Sequence, residues 1–366
     1  MDVNMDVIGM GFSQGAIANN IMNGGSLNPG ALRPFIHNGR AYISVYAGLD
    51  KDGKKLHTNH LVNNATLKRE EWIALDQAVL RESRSRLVGV QDLITAGLTY
   101  ELGGGGMSTT VLQNHNISDA MEVELSMDGV SRSKNDRPNY THTYLPLPIL
   151  HGDYEINARE LAASRNGGNP LDTTEAEMVS RKISEKLEAM LFTDTKYSFG
   201  AKDSLNRNTI YSYVNYPDRH TKVLTKAWNA PNITAKEIFL DCLKMKQTLI
   251  NDKMFGPYVI YIPTEYETIL DDDYDATTPG TTLRERILKI SGITAIKVAD
   301  SLTAGNIVMV QMRPETIRLV RGLGIQNVQW NTEGGMITKF KVMTIQVPQV
   351  RTDAGGHCGI VHMATA

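Results

Sequence analysis

Three groups of residues have the types and spacing to do chemistry. Asp271, Asp273 and Asp275 stand at the first, third and fifth places of what could be a calcium loop. Ala276 then fills the sixth place, where such a loop turns on glycine, and Thr282 the twelfth, where it needs a bidentate glutamate. The EF-hand pattern fails, which leaves a solvated loop, a charge-paired loop or an axial cation site in an oligomer. His357, Cys358 and His362 offer soft ligands near the C-terminus, and His57 with His60 offers two more. Zinc would need a fourth ligand or an open position, and strand residues five apart point to opposite faces. Packed or solvated side chains are the simpler reading. Gly103 to Gly106 precede Met107-Ser108-Thr109, without the Lys or the strand-to-helix glycine spacing of a phosphate cradle, so this run reads as a connector.

Other chemistry finds less support. No Gly-x-Ser-x-Gly elbow is present among the serines. Arg132, Lys134 and Arg137 form a basic cluster beside Asp136 that could touch phosphate. Three charges without interleaved aromatics are too few for a nucleic-acid footprint. Salt bridges to another copy of the chain are the better expectation, with Glu175, Glu177, Glu185 and Glu188 as acidic counterparts. No catalytic, cofactor-binding or metal-binding residue emerges, and the chain reads as a non-enzyme without a cofactor.

Composition sets the frame for these residues. The chain has 366 residues, 41% of them hydrophobic and 21% charged, ordinary for two or three folded units. Lys and Arg number 38 against 40 acids, a net charge of -2, which supplies neither a global basic field nor an acidic tail. Two cysteines, Cys242 and Cys358, build no disulfide framework and fit a reducing compartment. The opening residues, MDVNMDVIGMGF, lack the basic start of a secretory signal. No run approaches the roughly 18 apolar residues of a membrane helix. A cytoplasmic chain without a membrane partner is expected.

The elements that must position these residues follow from pattern. Residues 1 to about 60 are rich in Gly and Asn and read as an arm, with one strand-like island at Arg40 to Tyr46 after an Asn38-Gly39 turn. Asp50-Lys51-Asp52-Gly53 reads as a second turn. Residues 67–88 form an amphipathic helix capped at Thr66, with Trp72, Leu75, Val79 and Leu80 as its stripe and Gly89 as its end. Met121 to Met127 alternate apolar and polar residues, the tip at 131–138 is polar, and Tyr140 to Leu145 return, which makes a protruding hairpin that must lean on a neighbour. A long helix at 173–192 carries Ala176, Val179, Ile183, Leu187 and Met190 on one face. A helix at about 234–252 and alternating strands and helices to 312 make an α/β unit, and strand-like sequence fills the rest.

Three stretches carry a family resemblance. REEWIALDQAVLRESRSRLVGVQDL at 69–93 resembles the N-terminal helix of encapsulin shell proteins and their phage relatives. LPLPILHGDYEINARELAASRNGGNPLDTTEAEMVSRKISEKLEAMLFTD at 145–194 resembles the segment where that family's extended loop returns and enters the spine helix, with Arg159-Glu160-Leu161 and Leu191-Phe192 in matching places. VMVQMRPETIRLVRGLGIQNVQW at 308–330 is also similar. The resemblance runs from residue 66 onward and is to the α+β Hong Kong 97-type capsid fold.

The resemblance implies an N-terminal arm at 1–65, a first part of the peripheral domain at 66–115 and an extended loop hairpin at 116–148. It further implies the peripheral domain with its spine helix at 149–254, an axial domain at 255–313, and terminal strands at 314–366 returning to the peripheral domain. The loop would lie across an adjacent subunit near its spine helix, with Arg132, Lys134 and Arg137 pairing with Glu185 or Glu188. Tyr42, Ile43 and Val45 would add strand contacts between subunits, and Asp271 and Asp273 would point toward capsomer centres. The family's function is a shell. The arm favours the major capsid protein of a tailed bacteriophage, self-assembling as hexamers and pentamers into an icosahedral head around double-stranded DNA held by confinement. An encapsulin nanocompartment around a cargo enzyme is the alternative. Scaffolding, portal and decoration proteins are the implied partners, the virion capsid the location, and host cytoplasm the place of assembly.

Overall fold

A computed structural model describes residues 33–49, 55–61, 67–86, 88–103, 106–117, 127, 140–167, 171–199, 208–274, 280–332, 336–353 and 355–365. Strands β1 (Phe35–His37) and β2 (Arg40–Leu49) are joined by Asn38 and Gly39, whose φ of 49° and 73° suit a two-residue hairpin turn. β3 (Lys55–Leu61) pairs antiparallel with β2, and the expected turn at 50–53 falls outside the described residues. The arm begins by folding onto its own chain. Ile36 N–H donates to the Leu67 carbonyl at 2.8 Å, and Trp72 Nε1 donates to the Pro34 carbonyl at 2.9 Å.

Helix α1 (Arg69–Arg86) buries Trp72, Leu75 and Val79 as its spacing requires, while Leu80 is 43% exposed. Gly89 does not end this helix. It lies in the first turn of a second helix, α2 (Val88–Thr95), where an added Cβ would stand 2.6 Å from Phe192 Cε2. The glycine is there for close packing, a role its position after a basic helix end disguises. β4 (Thr99–Glu101) follows, then β5 (Val111–Ile117) and β6 (Tyr140–Pro146), paired from Val111 with Pro146 to Ile117 with Tyr140. Gly106 has a φ of 68°, and a Cβ there would meet the Gly322 backbone at 2.2 Å. At least this member of the glycine run is fixed by contact rather than serving as a loose connector.

β7 (Leu150–Asn157) leads into α3 (Ala158–Gly167) and the long α4 (Thr174–Phe192). Thr173 stands at the N-cap of α4 without a side-chain cap bond, and Asp172 Oδ1, one residue earlier, accepts from Thr174 N–H at 2.9 Å. After β8 (Tyr197–Phe199), β9 (Asn208–Ile210) and β10 (His220–Val223), α5 (Ala235–Asn251) opens with a reciprocal capping box between Thr234 and Glu237. β11 (Tyr258–Ile262), a short 3-10 turn, α6 (Glu267–Leu270), α7 (Leu283–Leu288), β12 (Ile293–Val298) and β13 (Asn306–Gln311) complete the α/β run. The long hairpin β14 (Ile317–Thr332) and β15 (Ile337–Val350) and the last strand β16 (Ile360–Ala364) close the chain.

Two sheets organise the molecule. The order β4-β14-β15-β7 forms the first, with α1 and α4 packed on it. Phe340 of β15 stacks on Tyr154 at 4.9 Å and takes the Trp72 ring edge-on at 6.1 Å. The order β10-β16-β13-β11-β12 forms the second. Here the expected boundaries shift. β10, α5 and β16 share one core with β11 and α7, because Ile238, Cys242, Met245 and Leu249 of α5 pack with Tyr258, Ile260, Ile287 and Met363. Residues 220–254 therefore belong with the α/β unit, and residues 360–364 return to its sheet rather than to β14 and β15. Among the described residues no helix is long and apolar enough to cross a membrane.

β11 explains how the units are coupled. All five of its residues are buried, as in a strand covered on both faces. Tyr258, Ile260 and Ile262 face the α5 core, while Val259 and Tyr261 join the core of α2 and α4.

Candidate assembly surfaces

At the centre of the junction between the units, α4 presents Ser180, Ser184 and Glu188 on one line, all buried. Ser180 Oγ donates to the Val79 carbonyl at 2.7 Å, which lets α4 approach α1 closely. Glu188 lies at the N-terminus of α2, where the first N–H groups have no helical partner. Gly89 N–H donates to Glu188 Oε2 and Val90 N–H to Oε1, each at 3.2 Å. Burial still dominates and lifts the Glu188 carboxyl to about 7, with Asp92 and Asp300 adding repulsion and the two N–H groups opposing it.

Asp92, also buried, binds the other unit. It accepts from Tyr261 Oη of β11 at 2.9 Å and pairs with Lys297 of β12. Phe192 packs between Tyr213 and Tyr261, at 5.5 and 4.9 Å. Tyr213 Oη is buried without a hydrogen-bond partner among the described residues. This joint couples α2 and α4 to the α/β sheet through charge as well as apolar contact.

Glu188 is thus a correction to the sequence reading. It was expected to meet a neighbour's loop, yet it is 5% exposed and engaged within its own chain. The spacing Ser180-x3-Ser184-x3-Glu188 was the available signal, since two small residues one turn apart mark a close helix approach. Glu185 stays half-exposed and is already held by Lys182 at 2.7 Å and Arg181 at 3.8 Å. Ile43 is a second correction: its side chain is 1% exposed within its own chain and is not free for a neighbour. Tyr42 is half-buried beside Phe35, ring centres 6.2 Å apart, and Val45 lies in β2 with its side chain outside the described residues. Arg132, Lys134 and Arg137 also lie outside the described residues.

The remaining candidates sit apart. Asp271 pairs with Arg284 at 2.8 Å, and Asp273 bridges to Thr282 in the loop beside α7, while Asp275 lies outside the described residues. His357 Nδ1 bonds Asp353 at 2.6 Å, His362 Nε2 bonds Asn306 Oδ1 at 2.7 Å, and the Cys358 thiol is buried. Among the described residues no cluster of three or more His, Cys, Asp or Glu could hold a metal.

Two outer surfaces flank α4. One groove of about 450 Å³ lies at its N-terminal end and is lined by Tyr154, Glu155, Glu160, Asp172 and Glu175 among others. A second, of about 620 Å³, lies between α4 and the start of β7, with Ile149, Met178, Lys182 and Lys186 on its walls.

Residues 62–363 match the sequence profile of a family of unknown function, DUF6260. A search of curated proteins finds no match. Among solved structures the fold is similar to the virus-like particle from Pyrococcus furiosus, at 17% identity and a TM-score of 0.56 over 81% of this chain and 98% of that one. It is also similar to the capsid of Myoviridae phage XM1, at 9% identity and 0.54 over 75% and 91%. The capsid of a native GTA particle follows, at 10% identity and 0.52 over 76% and 91%. The fold is the Hong Kong 97-type capsid fold that the sequence resemblance implied.

Proposed function

The chain belongs to the DUF6260 family, and we propose that it is a shell subunit: the major capsid protein of a tailed bacteriophage, assembling as hexamers and pentamers into an icosahedral head around double-stranded DNA. The observation that carries this reading is the capsid fold itself, common to the virus-like particle and to the two capsids. The mechanism is assembly. Many individually modest contacts, repeated by symmetry, close a lattice.

In this reading the β5–β6 ribbon reaches across a neighbouring copy. Arg132, Lys134 and Arg137 meet acidic groups there, of which Glu185 remains half-exposed. Tyr42 and Val45 of the arm add contacts between subunits, and Asp271 and Asp273 lie toward the capsomer centre. The three-stranded arm sheet of β1 to β3 supports a phage head over a compartment shell, whose relatives usually lack such an arm. Near-neutral net charge suits DNA held by confinement. Scaffolding, portal and decoration proteins would be separate chains, and the head would form in the host cytoplasm.

The likeness to the virus-like particle from Pyrococcus furiosus, 98% of whose chain is matched, favours a second reading as an encapsulin compartment around a cargo enzyme. Producing the chain alone, sizing it by gel filtration and imaging it by negative stain tests the shell; closed shells, tubes or sheets are expected. Neighbouring portal and terminase genes support the phage head, and a ferritin-like or peroxidase gene supports the compartment. A chain that stays monomeric at high concentration and beside its genomic neighbours' products contradicts both.

A further inference from the structure

The β5–β6 ribbon has two faces, and the body of the molecule packs on one of them. Leu112 and Leu145 join its core, and Asn114, also buried, is reached by Arg318 at 3.5 Å. Strand alternation turns Gln113, His115, His142 and Tyr144 the other way. His115 and His142 stand directly opposite each other in the register, and both are exposed. Their rings meet edge to face with centroids 4.7 Å apart.

The two Nδ1 atoms are 2.8 Å apart, so a single hydrogen fits between them. The Gln113 amide donates another to His142 Nδ1 at 3.1 Å. In the neutral pair His142 Nδ1 is therefore the acceptor, and His115 Nδ1 carries the shared hydrogen. Once that hydrogen moves to Nε2 of the same ring, two lone pairs border one gap, and they repel unless a cation fills it.

The separation selects the cation. Two nitrogens 2.8 Å apart, each about 2.0 Å from one metal, subtend about 90°. That is the angle between adjacent positions of tetragonal copper(II) or nickel(II), whereas tetrahedral zinc would need the pair opened to about 3.3 Å. Of these ions copper(II) binds imidazole most strongly.

We propose that His115 and His142 hold a divalent transition-metal ion, copper(II) by preference, that pins β5 to β6. Water and the Gln113 amide oxygen, after a turn of that side chain, fill its remaining positions. A two-stranded ribbon is marginal in water, and the two histidines lie 27 positions apart in sequence. A clip across so long a loop removes more chain freedom than a local contact does.

The probe is copper(II) chelated by iminodiacetate, which leaves adjacent positions open and binds lone histidines weakly. It is titrated into the unassembled full-length subunit and read by electron spin-echo spectroscopy. Copper coupled to both imidazoles is expected in the wild type. His115→Gln and His142→Gln should each weaken binding by about tenfold or more, and the double variant should fall no further, because either change alone ends the two-point grip. Bound copper should also slow amide exchange in β5 and β6 of the wild type by about tenfold, a readout that needs no variant. Copper coupled to one imidazole, or held by both single variants as tightly as by the wild type, overturns the site. Copper on both imidazoles without slower exchange overturns the pin. None of these results bears on the shell reading, and a chain that never assembles leaves this site standing.

Discussion

Replacing Glu188 with Gln isolates the cost of holding a carboxylate inside the junction. Gly89 and Val90 N–H donate to different oxygens of Glu188, each at 3.2 Å, so Gln keeps an acceptor for only one of them; that loss is the same at every pH, and Gln cannot ionise. The wild-type carboxyl is moved from 4.5 to about 7, mainly by burial. At about 1.36 kcal/mol per unit, the folded state disfavours the charged form by about 3 kcal/mol. The sign follows from proton counts. Between pH 4.5 and 7 the folded chain binds this proton and the unfolded chain has released it, so stability falls as pH rises. Urea unfolding of the unassembled subunit, followed by tryptophan fluorescence from pH 4.5 to 8, reads the effect. The wild type should lose about 3 kcal/mol relative to Glu188→Gln across that range, other titrations cancelling in the difference. A difference constant to within about 0.5 kcal/mol over the whole range would refute a Glu188 whose burial outweighs its two N–H donors.

Four further outcomes follow from contacts already described. Gly89→Ala drives a methyl to 2.6 Å from Phe192 and should cost about 1–2 kcal/mol in urea unfolding, with Phe192→Leu restoring part of it. Phe340→Ala empties the stack between Trp72 and Tyr154 and should cost about 3–5 kcal/mol by the same measurement. Thr234→Ala removes the α5 capping box and should cost about 1 kcal/mol, read as a shift of the denaturation midpoint at unchanged slope. Lys297→Met leaves Asp92 buried without its cation and should cost about 2 kcal/mol at pH 7, most of it recovered by adding Asp92→Asn.

Much of the fold was legible because its signals are local. The Asn38-Gly39 turn, the helix at about 234–252 and the 173–192 helix each follow from residues close in sequence. What was not legible depends on neighbours distant in sequence. Gly89 reads as a helix end until Phe192 is placed against it, and Glu188 reads as a surface charge until α2 brings its N-terminus to it. The last strand reads as one more of a terminal series, yet the pairing of Val361 with Met309 takes it into the α/β sheet. The surfaces proposed for assembly were the least legible, since a surface declares its partner only when exposure, charge and reach can be compared together. Met178 sits on an otherwise well-patterned helix, and nothing in its spacing distinguishes it from a solvated position.

The most direct test of the shell account is electron cryomicroscopy of particles from cells producing this chain. The account predicts closed hollow shells with fivefold vertices, into whose density this fold fits once per subunit. Particles limited to monomers or small open oligomers, in the presence of its genomic neighbours' products, would contradict it.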